Sequence, residues 1–214
     1  ENEDRLGFPL LHFFIPQIVL QINPSDILLT YDDEHTSGTK AEEMYQLCFT
    51  NDQEATPTST ITIQAKLTKR QYAEGVNKLK GRIAKGDIYE VNFCQEFFAE
   101  NAQIDSVAIY EKLNAISNAP FSAYCKFNQR YVLCASPERF IRKTGKELIS
   151  QPVKGTVRRS KNPQEDNLLK IQLQNNSKER SENIMIVDLV RNDLSRIAKP
   201  GTVRVDELLG VYTF

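Results

Sequence analysis

The chain has 214 residues, 40% of them hydrophobic, and its 27 basic and 28 acidic residues nearly cancel. That composition supports a buried core and excludes a largely disordered chain. The small net charge, with no long block of either sign, offers no general attraction for nucleic acid or acidic membranes, so partners must be recognised at local sites.

The four cysteines, Cys48, Cys94, Cys125 and Cys134, show neither metal-ligand spacing nor a disulfide framework, which predicts reduced structural thiols in a cytoplasmic protein. The apolar stretch at residues 8–22 is interrupted by Pro9, His12, Pro16, Gln17 and Gln21. It is too short and too polar for a membrane span and has no basic leader before it.

In chain order, residues 11–30 are rich in Ile, Leu, Val and Phe and are broken by the Asn23-Pro24-Ser25-Asp26 turn, which predicts two strands. Residues 31–60 turn polar around an apolar island at 44–50, so residues 1–60 read as a strand-rich region ending in a linker. Thr68 is placed to cap a helix whose Tyr72, Val76, Leu79 and Ile83 share one face and which stops at Gly86. Residues 88–99 have the aromatic and β-branched content of a strand, and Asp105 is placed to cap a second helix carrying Val107, Tyr110, Leu113 and Ile116. Three β-rich runs at 121–127, 131–134 and 139–142 follow, with Asn128-Gln129 as a hairpin turn between the first two. Helical patterns occupy 163–173 and 177 to about 197, and a last strand is expected at 202–205. Runs of strands and of helices without strict alternation predict an α+β fold, antiparallel sheets packed with helices.

Three clusters carry ionisable groups in settings that shape the backbone. Glu179 and Glu182 stand at i and i+3 of the last predicted helix, so both carboxylates leave one face; they either share a cation such as magnesium or form a solvated face with Lys178 and Arg180. Lys154 lies between Pro152-Val153 and Gly155-Thr156, where proline fixes one torsion and glycine permits close approach of a ligand. A nucleophilic lysine must be neutral, a shift of roughly 3 pKa units from about 10.4, which burial and a nearby metal supply; the alternative is an ordinary surface lysine. Glu138 after Pro137 is either a general acid in a poorly solvated pocket or the salt-bridge partner of Arg139.

Taken together, five motifs in order resemble the chorismate-utilising enzymes: Gly86-Asp87-Ile88-Tyr89-Glu90-Val91-Asn92, Ser136-Pro137-Glu138-Arg139-Phe140, Pro152-Val153-Lys154-Gly155-Thr156, residues 178–183, and Ile186-Val187-Asp188-Leu189-Val190-Arg191-Asn192-Asp193-Leu194. The resemblance runs from about Tyr72 to Phe214 and implies part of the family's β/α/α/β sandwich, with residues 61–214 as the N-terminal portion of a chorismate-binding catalytic domain. Within the family, Lys154 and Asn183 resemble the branch that forms 4-amino-4-deoxychorismate for p-aminobenzoate and folate, since its anthranilate-forming relatives usually carry alanine at the lysine. The water-adding branch carries a lysine base where this chain has Glu90, a departure also from the glutamine commoner in the ammonia-using members.

The resemblance implies Lys154 as nucleophile, Glu138 as general acid, Gly155 and Thr156 against the substrate, and magnesium held partly by Glu179 and Glu182. It implies ammonia delivered by a glutamine amidotransferase subunit. It further implies sequence beyond Phe214 bearing a histidine, more carboxylates and a glycine-rich, arginine-containing stretch, so the chain by itself is expected to have little synthase activity. Two other expectations stand beside it: another chorismate enzyme such as anthranilate synthase component I, and a catalytically inactive fragment or binding module.

Overall fold

In the computed structural model, which describes residues 4–50 and 60–213, the first apolar runs close a hairpin: β1 (Ile18–Ile22) pairs antiparallel with β2 (Ile27–Tyr31), Ile18 opposite Tyr31. Asn23 makes the turn twice over, its backbone N–H donating to the Asp26 carbonyl at 2.9 Å and its side-chain amide to the Asp26 carboxylate at 2.8 Å. The described residues gather into two compact units, Glu1–Asp105 and Ser106–Phe214.

In the first unit the expected linker is partly a helix. Helix α1 (Gly38–Leu47) begins where the Ser37 hydroxyl accepts from Lys40 N at 3.2 Å, and it buries Ala41 completely. Residues 51–59 of that linker lie outside the described residues. Beyond β3 (Gln64–Ala65), α2 (Lys69–Ala84) starts in a capping box: Gln71 N donates to the Thr68 hydroxyl, and the Gln71 side chain accepts from Thr68 N. The strand expected at 88–99 is a correction, because only β4 (Phe97–Phe98) enters a ladder, with β3. The aromatic content there serves the helix instead: Phe93 stacks on Tyr72 at 5.0 Å, its carbonyl accepts from the Tyr72 hydroxyl at 3.1 Å, and Gly75 leaves room for its ring.

The second unit starts with α3 (Ser106–Ser117), which lies against the hairpin of β5 (Phe121–Phe127) and β6 (Arg130–Ser136). Tyr124 joins them, through a 2.8 Å hydrogen bond with the Ser106 hydroxyl and an edge contact with Tyr110. Asn128, at φ 56°, supplies the left-handed residue of the expected turn. A second hairpin, β7 (Arg139–Thr144) with β8 (Glu147–Gln151), turns at Gly145 and Lys146 and has an irregular register between Arg139 and Arg142. Helices α4 (Pro163–Asn175) and α5 (Ser177–Ser195) complete the unit. The strand expected at 202–205 is not formed: a turn from Thr202 N to the Lys199 carbonyl and a local Arg204–Asp206 ion pair take up that stretch. The α+β class, with antiparallel sheets and helices, is the one observed. Among the described residues no helix is long and apolar enough to cross a membrane.

Candidate active site

The segment leaving β8 runs to α4 without regular structure and is pinned at three points. At its start, Val153 N donates to Glu138 Oε1 at 3.0 Å, while Arg139 Nε donates to the Gln151 side chain at 2.7 Å, so the Ser136-to-Arg139 corner grips the residues just before Lys154. At its centre, Gly155 has φ +79°, and a Cβ built there would meet Glu179 Oε2 at 2.7 Å and Glu179 Cβ at 3.2 Å. Glycine is required twice over, for the left-handed torsion and for a carboxylate pressed onto its Cα. At its end, Arg159 forks onto Asp166 with two 2.8 Å hydrogen bonds, and Ser160 N adds a third at 3.0 Å. Those donors hold the buried Asp166 carboxyl down at about 2, the Arg159 hydrogen bond being the largest cause.

Glu179 is equally fixed. Asn176 ends α4 and caps α5, its side-chain oxygen accepting from Lys178 N at 3.0 Å and Glu179 N at 3.1 Å. The first turn of α5 therefore delivers the Glu179 side chain to the glycine next to Lys154. Lys154, Gly155, Thr156 and Glu179 all line one cleft of about 700 Å³ in the second unit. Glu138 is exposed and, like Glu182, is not among the lining residues, although its neighbours Pro137 and Arg139 are and its carboxylate accepts from the Val153 N–H.

The cleft is strongly cationic. Arg139, Arg142, Lys154, Arg158, Arg159, Lys170, Arg180, Arg191 and Arg204 face it, against Asp166, Glu179, Asp206 and Glu207. A site walled in this way suits a small ligand with more than one negative charge. Residues 1–214 match the family described as chorismate binding enzyme. The chain belongs to that family.

Among the relatives of this chorismate binding enzyme chain is aminodeoxychorismate synthase component 1 of Klebsiella aerogenes, 40% identical over 160 residues that make up 75% of this chain and 35% of the relative. The protein of the same name from Bacillus subtilis (strain 168) is 33% identical over 184 residues, 84% of this chain and 39% of the relative. The chain thus spans little more than a third of the length of these two curated relatives. In fold it is similar to anthranilate synthase component I from Streptococcus pneumoniae TIGR4, with a TM-score of 0.81 at 21% identity over 99% of this chain and 49% of that one.

The magnesium that the chorismate-utilising resemblance implies is compatible with the donor set. Lys178 Nζ lies 3.3 Å from Glu182 Oε1 and 3.9 Å from Glu179 Oε1, so one cationic group already stands between the two carboxylates. That ammonium is largely exposed on a flexible stem and is readily displaced. Among the described residues a different group, Asp32, Glu34 and His35 in the first unit, brings three potential ligands together, with no metal-ligand spacing in the sequence to announce it. Its internal pair, His35 Nδ1 to Asp32 Oδ2 at 2.7 Å, accounts for the arrangement as a local turn.

Proposed function

We propose that the protein carrying this chain is the chorismate-aminating catalytic subunit of an aminodeoxychorismate synthase, converting chorismate and ammonia to 4-amino-4-deoxychorismate. One observation carries the reading: the glycine after Lys154 is clamped against Glu179 inside a cationic cleft, so a potential nucleophile and a potential metal ligand share one pocket. Chorismate, a dicarboxylate, has the charge that this wall of arginines and lysines suits.

The chemistry needs four groups. The Lys154 amine forms a bond to ring C2 while the ring double bonds shift and the C4–O bond breaks, the hydroxyl leaving as water with a proton supplied by Glu138. Ammonia then bonds to C4, the double bonds shift back, and the C2–N bond breaks to return the amine of Lys154. Thr156 and Gly155 lie against the substrate. Glu179 and Glu182 are the side chains that would hold magnesium, which when bound neutralises the ring carboxylate. The ammonia is supplied by a glutamine amidotransferase partner, in a cytoplasmic reaction leading to p-aminobenzoate and folate.

The test uses the complete protein with chorismate, magnesium and ammonium salt, followed by chromatographic identification of the product. Aminodeoxychorismate is expected, and anthranilate would move the assignment to the other ammonia-using branch. With Lys154→Ala, amination is expected to fall at least about a thousandfold, since covalent catalysis and the acid–base work coupled to it are lost together. An unchanged rate would remove the lysine from the mechanism.

A further inference from the structure

The hairpin that leads into the Lys154 segment changes register just before it ends. Arg142, Lys143 and Thr144 face Ile149, Leu148 and Glu147, but Arg139 faces Gln151, so β7 advances from Arg139 to Arg142 while β8 advances only from Gln151 to Ile149. One extra residue is therefore inserted in β7, and a bulge of this kind interrupts the ladder and re-aims what lies beyond it. Beyond it stand the Glu138 corner on one strand and the Lys154 segment on the other, with a single residue pair of the ladder between them and the bulge. Side chains hold that pair. Arg139 Nε donates to the Gln151 side-chain oxygen at 2.7 Å, the same guanidinium lies over the Phe121 ring of β5 at 4.6 Å from its centroid, and Glu138 turns instead to the Val153 N–H at 3.0 Å. Arg139 is half-buried, and its planar group is fixed by both the ring and the amide.

We propose that Arg139 is a positioning residue that locks the register of the chain beyond the bulge and so fixes the separation of Glu138 and Lys154. The inference rests on the aminodeoxychorismate reading above and deepens it, because that reading needs an acid at C4 and an amine at C2 of one ring at the same moment. Glu138 and Lys154 lie on the continuations of two facing strands. A strand that slips by one residue moves its side chains by about 3.3 Å and turns them to the other face. A misplacement of only about 1 Å costs a reaction on the order of a hundredfold. Arginine suits the task because its donor and its stacking plane belong to one rigid group, whereas a lysine ammonium has neither a plane nor a fixed donor direction. This task is distinct from attracting an anion: it acts on the rate of the bound complex and leaves affinity alone.

The experiment uses the complete protein and reads kcat for amination at saturating chorismate beside the Kd of chorismate. Gln151→Met removes the acceptor and leaves Arg139 in place; kcat is expected to fall about tenfold while Kd stays within about twofold. Gln151 is exposed, so the exchange is not expected to unfold the protein. Gln151→Glu keeps an acceptor oxygen and is expected to bring kcat back to within about threefold of wild type. Arg139→Lys keeps a cation in the cleft without the Nε donor. Combined with Gln151→Met, it is expected to be slower than the worse single variant by no more than about twofold, since both changes break one link. A merely structural contact would lower the melting temperature of Gln151→Met and leave its kcat intact, and that result would overturn the proposal. So would an Arg139→Lys protein that changes Kd alone, which would assign the guanidinium to binding the anion. A protein that makes no amine from chorismate with Arg139 and Gln151 both in place would instead bring down the functional reading, and this inference with it.

Discussion

Gly155 is a point of close packing in the site. Its φ of +79° lies where a side chain strains the backbone by about 1–2 kcal/mol, and the neighbouring atoms of Glu179 include Cβ and Cδ as well as the mobile carboxylate tip. Rotating the tip away would still leave Cβ in the way. Gly155→Ala is therefore expected to lower the melting temperature by about 2–8 °C and to weaken ligand binding by pushing the Lys154 segment off α5. Calorimetry and a binding isotherm on the same preparation check both effects, and an alanine variant that melts and binds like wild type would show that the contact is relaxed in solution. Lys154, which lines the cleft, was legible in the sequence because its motif brackets it between proline and glycine. Asn183 entered only as a mark of family branch. Helical periodicity places it one turn after Glu179, among the residues that line the cleft.

At the scale of elements, boundaries were legible wherever one side chain decides them. Thr68 with Gln71 opens α2, and the Asn23-to-Asp26 turn separates β1 from β2. Tertiary packing decided the remainder. The aromatic run before β4 reads as a strand by composition but is consumed against α2, and the β-branched residues at 202–205 meet no partner strand among the described residues. Strand β8 is five residues long and is defined by its pairing with β7, which its own residues do not announce. The segment from β8 to α4 depends on Arg159, Ser160 and Asp166, and this gives it a particular acid sensitivity. The Asp166 carboxyl is lowered in the folded protein from an ordinary value of 3.8 to about 2. A lowered carboxyl contributes stability that is fully present above its ordinary value and is lost as pH falls from there through about 2. Asp166→Asn is expected to be less stable than wild type at neutral pH, with the gap closing between about pH 4 and pH 2. Urea unfolding of both proteins at several acid pH values reads this directly, and a gap that stayed constant across the window would assign the fork no role.

For the molecule as a whole, the useful contrast is between a formal charge of −1 and a cleft faced by nine cationic and four acidic side chains. Net charge predicts weak long-range fields, so recognition of an anion must come from charges concentrated within a few ångströms of it. Such short-range attraction remains exposed to solvent at the mouth of an open cleft, where counter-ions compete for the same arginines. The screening length falls from about 30 Å at 0.01 M salt to about 3 Å at 1 M, which brackets the dimensions of a pocket this size. Chorismate binding is therefore expected to weaken on the order of tenfold between 0.01 and 0.5 M sodium chloride, whereas a neutral diamide of the same ring binds weakly and without salt dependence. Parallel titrations of the two ligands separate charge from shape. If both curves moved together, the cationic wall would be a feature of the protein's folding and not of its ligand. A slope confined to the dianion would assign these side chains to recognition, and replacing Arg158, which also pairs with Glu165 at 3.3 Å, would then be expected to flatten that slope without abolishing binding.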